Sequence, residues 1–183
     1  IRNPTASFLW RVVGDCMVMA GEPGWSPWYQ RALDEAQREG DSYSEIASGH
    51  NLVYAHMGGA DFDEARAVAQ HMIRRAGELR LTNWQDSLRG FELQLAGSAG
   101  DHAHVLREIP RLLTAPSQRP LDRRAHLAVL GQTQAETGMI EEALDTAEQL
   151  RGSPAHEALA HVIRILALWM GGEPVRALAE REQ

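Results

Sequence analysis

The chain has 183 residues, of which 44% are hydrophobic and 23% charged, and its formal net charge is −7. This length allows one domain with a sizeable core, and the acidic balance makes the chain a poor candidate for binding nucleic acid by itself. No apolar run approaches the ~20 residues that a helix needs to cross a bilayer.

The charge is unevenly spread, and all 18 basic residues are arginine. Residues 66–124 hold ten arginines and six acids, a net charge of +4, whereas the remainder carries −11. Such a basic middle segment can receive an acidic partner.

Cys16 is the single cysteine, and it lies in the apolar stretch DCMVMA. A lone cysteine forms no internal disulfide, so we predict a small core residue at this position and a reducing, cytoplasmic compartment. The start, IRNPTASFLW, and the end, VRALAEREQ, indicate a piece of a longer protein.

Helical periodicity predicts ten helices in chain order, at 4–20, 25–39, 42–58, 62–79, 83–97, 101–114, 120–137, 140–151, 154–170 and 173–183. Apolar residues recur three and four positions apart, for example at Ala65, Ala69, Met72 and Ala76. The segment HEALAHVIRILALW has a broad apolar face, as a nearly buried helix would. Because no sustained alternation of β-branched residues predicts a strand, the expected fold class is all-α.

A glycine-marked corner recurs five times between these helices. The glycines are spaced by 38, 41, 38 and 34 residues, and they are Gly21, Gly59, Gly100, Gly138 and Gly172. Glycine takes the left-handed conformation that ends a helix, and an acid or a proline then starts the next one. The expected starting residues are Asp61 or Asp63, Asp101, Glu141, Pro23 and Pro174.

The corners divide residues 1–183, predicted to be one domain, into antiparallel helix pairs. The pairs lie at about 4–40, 42–79, 83–114, 120–151 and 154–183. Gly14 and Gly131 each precede a corner glycine by seven residues. Both are predicted to let a neighbouring helix approach closely.

Residues 127–150, LAVLGQTQAETGMIEEALDTAEQL, resemble a tetratricopeptide repeat. Its signature positions are occupied by Leu130–Gly131, Gly138, Ala143, Ala147 and Pro154, the proline lying one residue early. Leu127 replaces the expected aromatic residue and Gln134 the usual tyrosine, and the spacings of 38 to 41 exceed the regular 34 of the family. The resemblance implies a right-handed solenoid of about five helix pairs with a concave binding face.

The alanine- and arginine-rich copies are similar to the helical-repeat region of bacterial LuxR-family and maltose-regulator-type transcriptional regulators. In those proteins a switch ATPase precedes the repeats, and a DNA-binding helix-turn-helix lies elsewhere. The resemblance therefore implies an interaction or effector-sensing segment of a regulator.

Patterns typical of catalysis or metal binding are weak in this chain. A phosphate loop of the form GxxxxGK[ST] cannot occur without lysine. His156 and His161 are five residues apart, which turns them about 140° from each other on a helix. The acidic clusters DFDE and EE lie at helix starts, where capping explains them. We therefore expect no enzyme, no metal and no cofactor.

In the resembled family, the first helix of each pair lines the binding face. Carried onto this sequence, the candidate binding residues are His50, Tyr54, Gln94, Gln132, Glu136 and Trp169, with Arg123 and Arg124 as candidates for carboxylate recognition. Core packing is expected for most of the five tryptophans, and Trp25 and Trp28 are alternatively exposed contact residues.

The predicted function is a non-catalytic module that binds a protein or peptide, or senses a small effector. One alternative is a structural spacer or oligomerisation segment that forms a homodimer. Another is a small-molecule sensor, which needs an enclosed apolar pocket.

Overall fold

The computed structural model of the chain describes residues 5–116, 119–152 and 154–181. Over these residues it contains ten α-helices and no strand. The helices are α1 (Ala6–Ala20), α2 (Ser26–Glu39), α3 (Ser42–Gly58), α4 (Phe62–Glu78), α5 (Thr82–Ser98), α6 (His102–Leu113), α7 (Pro120–Glu136), α8 (Ile140–Leu150), α9 (Pro154–Met170) and α10 (Pro174–Arg181). The all-α prediction is confirmed, and the helix limits agree to within two residues. The predicted ends at residues 4, 182 and 183 lie outside the described residues.

Two compact units divide the chain, Ile1–Glu92 and Leu93–Gln183, and the boundary falls within α5. In the first unit, consecutive helices from α1 to α4 pack against each other, and α1 also contacts α3. Its core is formed by apolar residues of α2, α3, α4 and α5 that are at most 1% exposed, including Ala32, Ile46, Leu52, Met72 and Leu88. Within the described part of the chain, no helix is long and apolar enough to span a membrane.

In the second unit, consecutive helices from α6 to α10 pack together, and α7 also contacts α9. The largest core cluster of this unit joins residues of α7, α8 and α9, among them Leu127, Ala147, Leu150 and Ile163. Gln134, at the position where the resembled family has a tyrosine, is 8% exposed, and its Oε1 accepts a hydrogen bond of 2.7 Å from the buried Thr146 hydroxyl. The hydrogen bond between Gln134 and Thr146 thus lies in this core at a position where the resembled family has an aromatic side chain.

Close helix approach at the two predicted glycines is confirmed. A Cβ atom added at Gly14 would lie 2.7 Å from Cε1 of Tyr29 on α2. One added at Gly131 would lie 3.0 Å from Cδ1 of Ile163 on α9. Real Cβ contacts are longer, so each position favours glycine because of its neighbour.

Four of the five corner glycines have the predicted left-handed backbone, with φ between 70° and 86°. The prediction is wrong for Gly59, whose φ is −84°, because Ala60 takes the left-handed position with φ 60°. Helix α3 extends to Gly58, and the closing bonds run from the N–H groups of Ala60 and Asp61 to carbonyls of the last turn. The corner has the same hydrogen-bond pattern as the others and is displaced by one residue.

The predicted helix starts are partly confirmed. Asp101 caps α6 by accepting a hydrogen bond from the His104 N–H at 3.2 Å, and Pro174 is the first residue of α10. Asp61 is at the N-cap position of α4 but makes no capping bond with its side chain. Pro23 was wrongly predicted, since α2 begins at Ser26 and has Pro27 in its first turn.

Cys16 is exposed, so the prediction of a core residue is wrong. Helix α1 buries Ser7 and Gly14 and leaves a second apolar stripe in solvent, in which Leu9 is 50% and Met19 is 87% exposed. Cys16 follows Leu9 by seven residues and belongs to that stripe. An apolar neighbourhood in the sequence does not specify which apolar face is covered.

Candidate binding surfaces

Helix α3 is covered by its neighbours on most of its circumference. Nine of its 17 residues are buried, whereas Tyr43 and Tyr54 are 58% and 56% exposed. These tyrosines are eleven residues apart, close to three full turns, so they lie on one line along the helix. The half-buried His50 lies on the same line between them. We call Tyr43, His50 and Tyr54 the α3 aromatic line.

A continuous chain of aromatic rings lies behind this line. Neighbouring ring centroids are 4.8 to 6.4 Å apart, within the range of favourable aromatic pairs, and the order is Tyr29, Trp25, Tyr54, Phe91, His50, Trp84 and Tyr43. Trp84 and Tyr29 are 7% and 3% exposed. Tyr43 is therefore packed against the buried Trp84, and Tyr54 against the half-buried Trp25 and Phe91.

Hydrogen bonds fix the orientation of these rings. One carboxylate oxygen of Asp15 accepts from the Tyr29 hydroxyl at 2.7 Å and from the Asn51 amide at 3.1 Å. His50 Nε2 lies 3.0 Å from the Ser87 hydroxyl, and its Nδ1 lies 3.4 Å from the Asn51 amide oxygen. Burial, together with the Asp15 carboxylate, raises the pKa of Tyr29 well above its usual range.

This raised pKa predicts a pH-dependent stability. Below pH ~10 the Tyr29 phenol is protonated in both states, and above it only the unfolded chain loses the proton, so the free energy of unfolding falls as the pH rises. Wild type should lose up to about 1 kcal/mol per pH unit between pH 10 and 11 relative to Tyr29→Phe. Urea unfolding of both proteins at pH 8 to 11 measures the difference. Parallel profiles would contradict the prediction, because the exposed Tyr43 and Tyr54 are common to both proteins.

Three of the predicted binding residues lie together in the second unit. Gln94, Gln132 and Glu136 line a cleft of about 40 Å³ with Gly97, Ser98, Val129 and Thr133. The Gln132 amide donates to one Glu136 oxygen at 2.9 Å, and His102 Nε2 lies 3.3 Å from the other. Since small-molecule sites enclose about 300 Å³ or more, this polar cleft favours surface contacts over an enclosed effector.

The predicted arginines are not both directed to this cleft. Arg123 and Arg124 lie in the first turns of α7, exposed and half-buried respectively. Nine residues separate Arg123 from Gln132, which places them on opposite sides of the helix. Arg123 therefore lies away from Gln132, and carboxylate recognition by Arg123 and Arg124 stays a prediction.

Trp169 lies on a different kind of surface. It is 59% exposed on α9, beside other exposed apolar residues such as Leu159 and Val162, at 42% and 58%. The prediction that α9 is nearly buried is therefore wrong, because one side of the helix is exposed to solvent. Helices α7, α8 and α10 cover the opposite half.

Sequence reasoning missed most of the aromatic arrangement. Tyr43 was not selected, although its spacing of eleven residues from Tyr54 is a readable signal. Trp25 and Trp28 are half-buried. Trp25 contacts Tyr29 and Tyr54, and Trp28 stacks on Trp10 with centroids 5.4 Å apart, so packing accounts for both.

Comparison with models of protein families, with curated proteins and with solved structures found no match to the chain. In the part of the chain that the structure describes, no group of three or more His, Cys, Asp or Glu side chains is arranged to hold a metal ion. Among the surfaces described above, the α3 aromatic line is the one most firmly held by its surroundings.

Proposed function

We propose that the chain is a non-catalytic protein-interaction module that binds an extended peptide segment of a partner protein along the α3 aromatic line. The observation that carries the proposal is that α3 exposes its large side chains at Tyr43 and Tyr54, with His50 between them, and that buried or half-buried rings support all three. Tyrosines held in this way bind with little further loss of side-chain entropy, and tyrosine is enriched among residues that dominate binding energy.

The dimensions of the line specify the ligand. Tyr43 and Tyr54 are eleven residues apart on a helix, about 16 Å at 1.5 Å per residue. An extended peptide covers that length with about five residues. Exposed tyrosine faces accept proline rings and arginine guanidinium groups. Residues 1–92 hold nine arginines and 13 acids, so we propose a basic peptide that contains proline or arginine.

The proposal includes the architecture that presents this line, a right-handed tetratricopeptide-like solenoid. Support comes from contacts between first helices of successive pairs, α1 with α3 in one unit and α7 with α9 in the other. In such a stack each first helix keeps only one narrow strip in solvent, as α3 does. A place in a bacterial transcriptional regulator is proposed from the sequence resemblance alone.

Peptide selection tests the function. A phage-displayed library of random dodecapeptides is panned on the chain, and the Kd of enriched peptides is measured by fluorescence anisotropy. Replacement of both Tyr43 and Tyr54 by alanine should weaken binding at least tenfold, about 1.4 kcal/mol, because the ligand loses both exposed rings.

Phe62→Ala provides the matched control. Phe62 is also aromatic and 44% exposed, but it starts α4 and makes none of the contacts of the ring chain described above. Its replacement should leave the Kd within twofold of wild type, and circular dichroism should show equal helix content in all variants. Peptides that bind the double variant as tightly as wild type, or no enrichment at all, would refute the proposal.

A further inference from the structure

The solvent half of α9 is apolar along the whole helix. Positions 158, 162, 165 and 169 recur at four, three and four residues, the spacing of contact residues in packed helices. With the residues beside them they form one face that contains no polar or charged side chain: Ala158, Leu159, Val162, Ile165, Leu166, Trp169 and Met170. Four of these are 42% to 59% exposed. We call this set the α9 apolar face.

The repeat register relates part of this face to covered positions one helix pair earlier. Trp169 follows Ala135 by 34 residues, and Leu178 on α10 follows Leu144 by the same number. Ala135 is a 0% exposed member of the core cluster that includes residues of α9, and the half-buried Leu144 packs against that cluster. Trp169 and Leu178 are 59% and 55% exposed. The end of the α9 apolar face at Trp169, continued by Leu178, thus corresponds to positions that neighbouring helices cover one helix pair earlier.

The α9 apolar face lacks the glycine notch that α7 presents to α9. On α7 the notch at Gly131 receives Ile163 of α9, whose Cδ1 would lie 3.0 Å from an added Cβ. The position 34 residues later is Ile165, so α9 carries a large side chain where α7 carries none. The occupant therefore needs a different fit from that of another repeat.

We infer that the α9 apolar face binds the same face of a second copy of the chain, with the two α9 helices antiparallel about a two-fold axis. The small Ala158 is near one end of the face, and the large Trp169 is near the other, eleven residues away. Antiparallel pairing places the tryptophan of one copy against the alanine of the other and fills both ends. Parallel pairing would oppose two tryptophans and leave a gap between two alanines.

The area of the surface agrees with self-association, and the charge near it argues against a lipid surface. The exposed apolar side chains present on the order of 600 Å² per copy, so a pair buries about 1,200 Å², at the lower end of stable interfaces. The acidic Glu157 and Glu173 lie near the two ends of α9, and the chain carries a net charge of −7. Helices that lie on membranes carry a basic rim instead, which favours a second copy over a lipid surface.

Sedimentation equilibrium of the full chain at 1 to 200 µM tests the pairing. Wild type should be dimeric, and Trp169→Glu should raise the dissociation constant at least 100-fold by placing a charge in the apolar contact. Tyr54→Glu is the control, since it changes an equally exposed aromatic residue on another helix and should leave the dimer intact. Circular dichroism should show equal helicity.

Three outcomes of the sedimentation experiment would overturn the inference. They are a monomeric wild type over the whole range, an unchanged dissociation constant in Trp169→Glu, and a dimer that Tyr54→Glu alone disrupts. Flotation of monomeric wild type, but not of Trp169→Glu, with phosphatidylcholine–phosphatidylglycerol vesicles would also overturn it by assigning the face to lipid. Since peptide binding is assigned to α3, either proposal can fail while the other holds.

Disulfide trapping in a Cys16→Ser background tests the orientation. Val162 and Ile165 lie on either side of the proposed axis. In an Ile165→Cys variant, the new thiol should therefore form a disulfide with the same position of the second copy. Met170 is about six residues from the axis, which separates two antiparallel copies of it by ~18 Å, too far for a disulfide. Efficient linking through Met170→Cys would contradict the antiparallel arrangement.

Discussion

Gly14→Leu is expected to lower the free energy of unfolding by about 3 kcal/mol, at the upper end of overpacking effects. The added Cβ alone would lie 2.7 Å from the Tyr29 ring. That ring is 3% exposed and is held by a hydrogen bond of 2.7 Å to Asp15. Leucine therefore has to separate α1 from α2 or displace Tyr29. Urea unfolding followed by circular dichroism measures the loss.

Cys16→Leu is the matched control, because it introduces the same residue on the same helix. Cys16 is exposed, so this variant should remain within about 0.5 kcal/mol of wild type. Equal stability of Gly14→Leu and wild type would contradict the close approach of α1 and α2. A large loss in Cys16→Leu would show that the covered face of α1 has been assigned wrongly.

The second large effect concerns Met72, which is 0% exposed on α4 and packs over Gly49 of α3. Met72→Ala should cost about 2 to 5 kcal/mol, because it removes a buried side chain and leaves a cavity between the helices. Gly49→Ala should also destabilise, since its Cβ would lie 2.3 Å from the Met72 sulfur, and a fully buried methionine has little room to move.

The two substitutions together should be strongly non-additive. In the Met72→Ala background the methyl group of Gly49→Ala enters the vacated space, and alanine favours the helix by up to about 1 kcal/mol over glycine. The second substitution should therefore change from destabilising to neutral or stabilising, a coupling of about 1 to 3 kcal/mol. Additive losses in a double-mutant cycle would show that Met72 and Gly49 are not in contact.

The helices were predictable from the sequence because local signals determine their limits. Corner glycines end them, and a periodic apolar face marks their interiors. The corner at Gly59 shows where this reasoning fails, since Gly58 and Gly59 are followed by Ala60, and the last turn of α3 determined which residue became left-handed. Composition alone does not place such a corner to the residue.

The candidate residues were taken from the resembled family, which lines its binding face with the first helix of each pair. His50 and Tyr54 of α3 were named on that basis, as were Gln132 and Glu136 of α7. Helix register alone places Tyr43 in line with the first two. The contacts of Trp84 with Tyr43 and His50 join residues 41 and 34 positions apart, respectively. These depend on how helices pack side by side, which spacing along one helix does not reveal.

The exposure of Cys16 and of the α9 apolar face was missed for one physical reason. An apolar stripe has the same sequence pattern whether a neighbouring helix covers it or solvent does. HVIRILALWM therefore predicts a buried helix, whereas packing by α7, α8 and α10 covers only half of it. Coverage depends on the neighbours that are present.

Mapping the chemical-shift changes that a bound peptide causes in the chain tests the central claim most directly. ¹H–¹⁵N and aromatic ¹H–¹³C spectra of the labelled chain are recorded during titration with a peptide selected on wild type. The proposal predicts the largest perturbations at Tyr43, His50 and Tyr54, followed by Phe91 and Trp84, which contact them. Perturbations centred on Phe62 and the outer face of α4, with the α3 aromatic line unchanged, would contradict it.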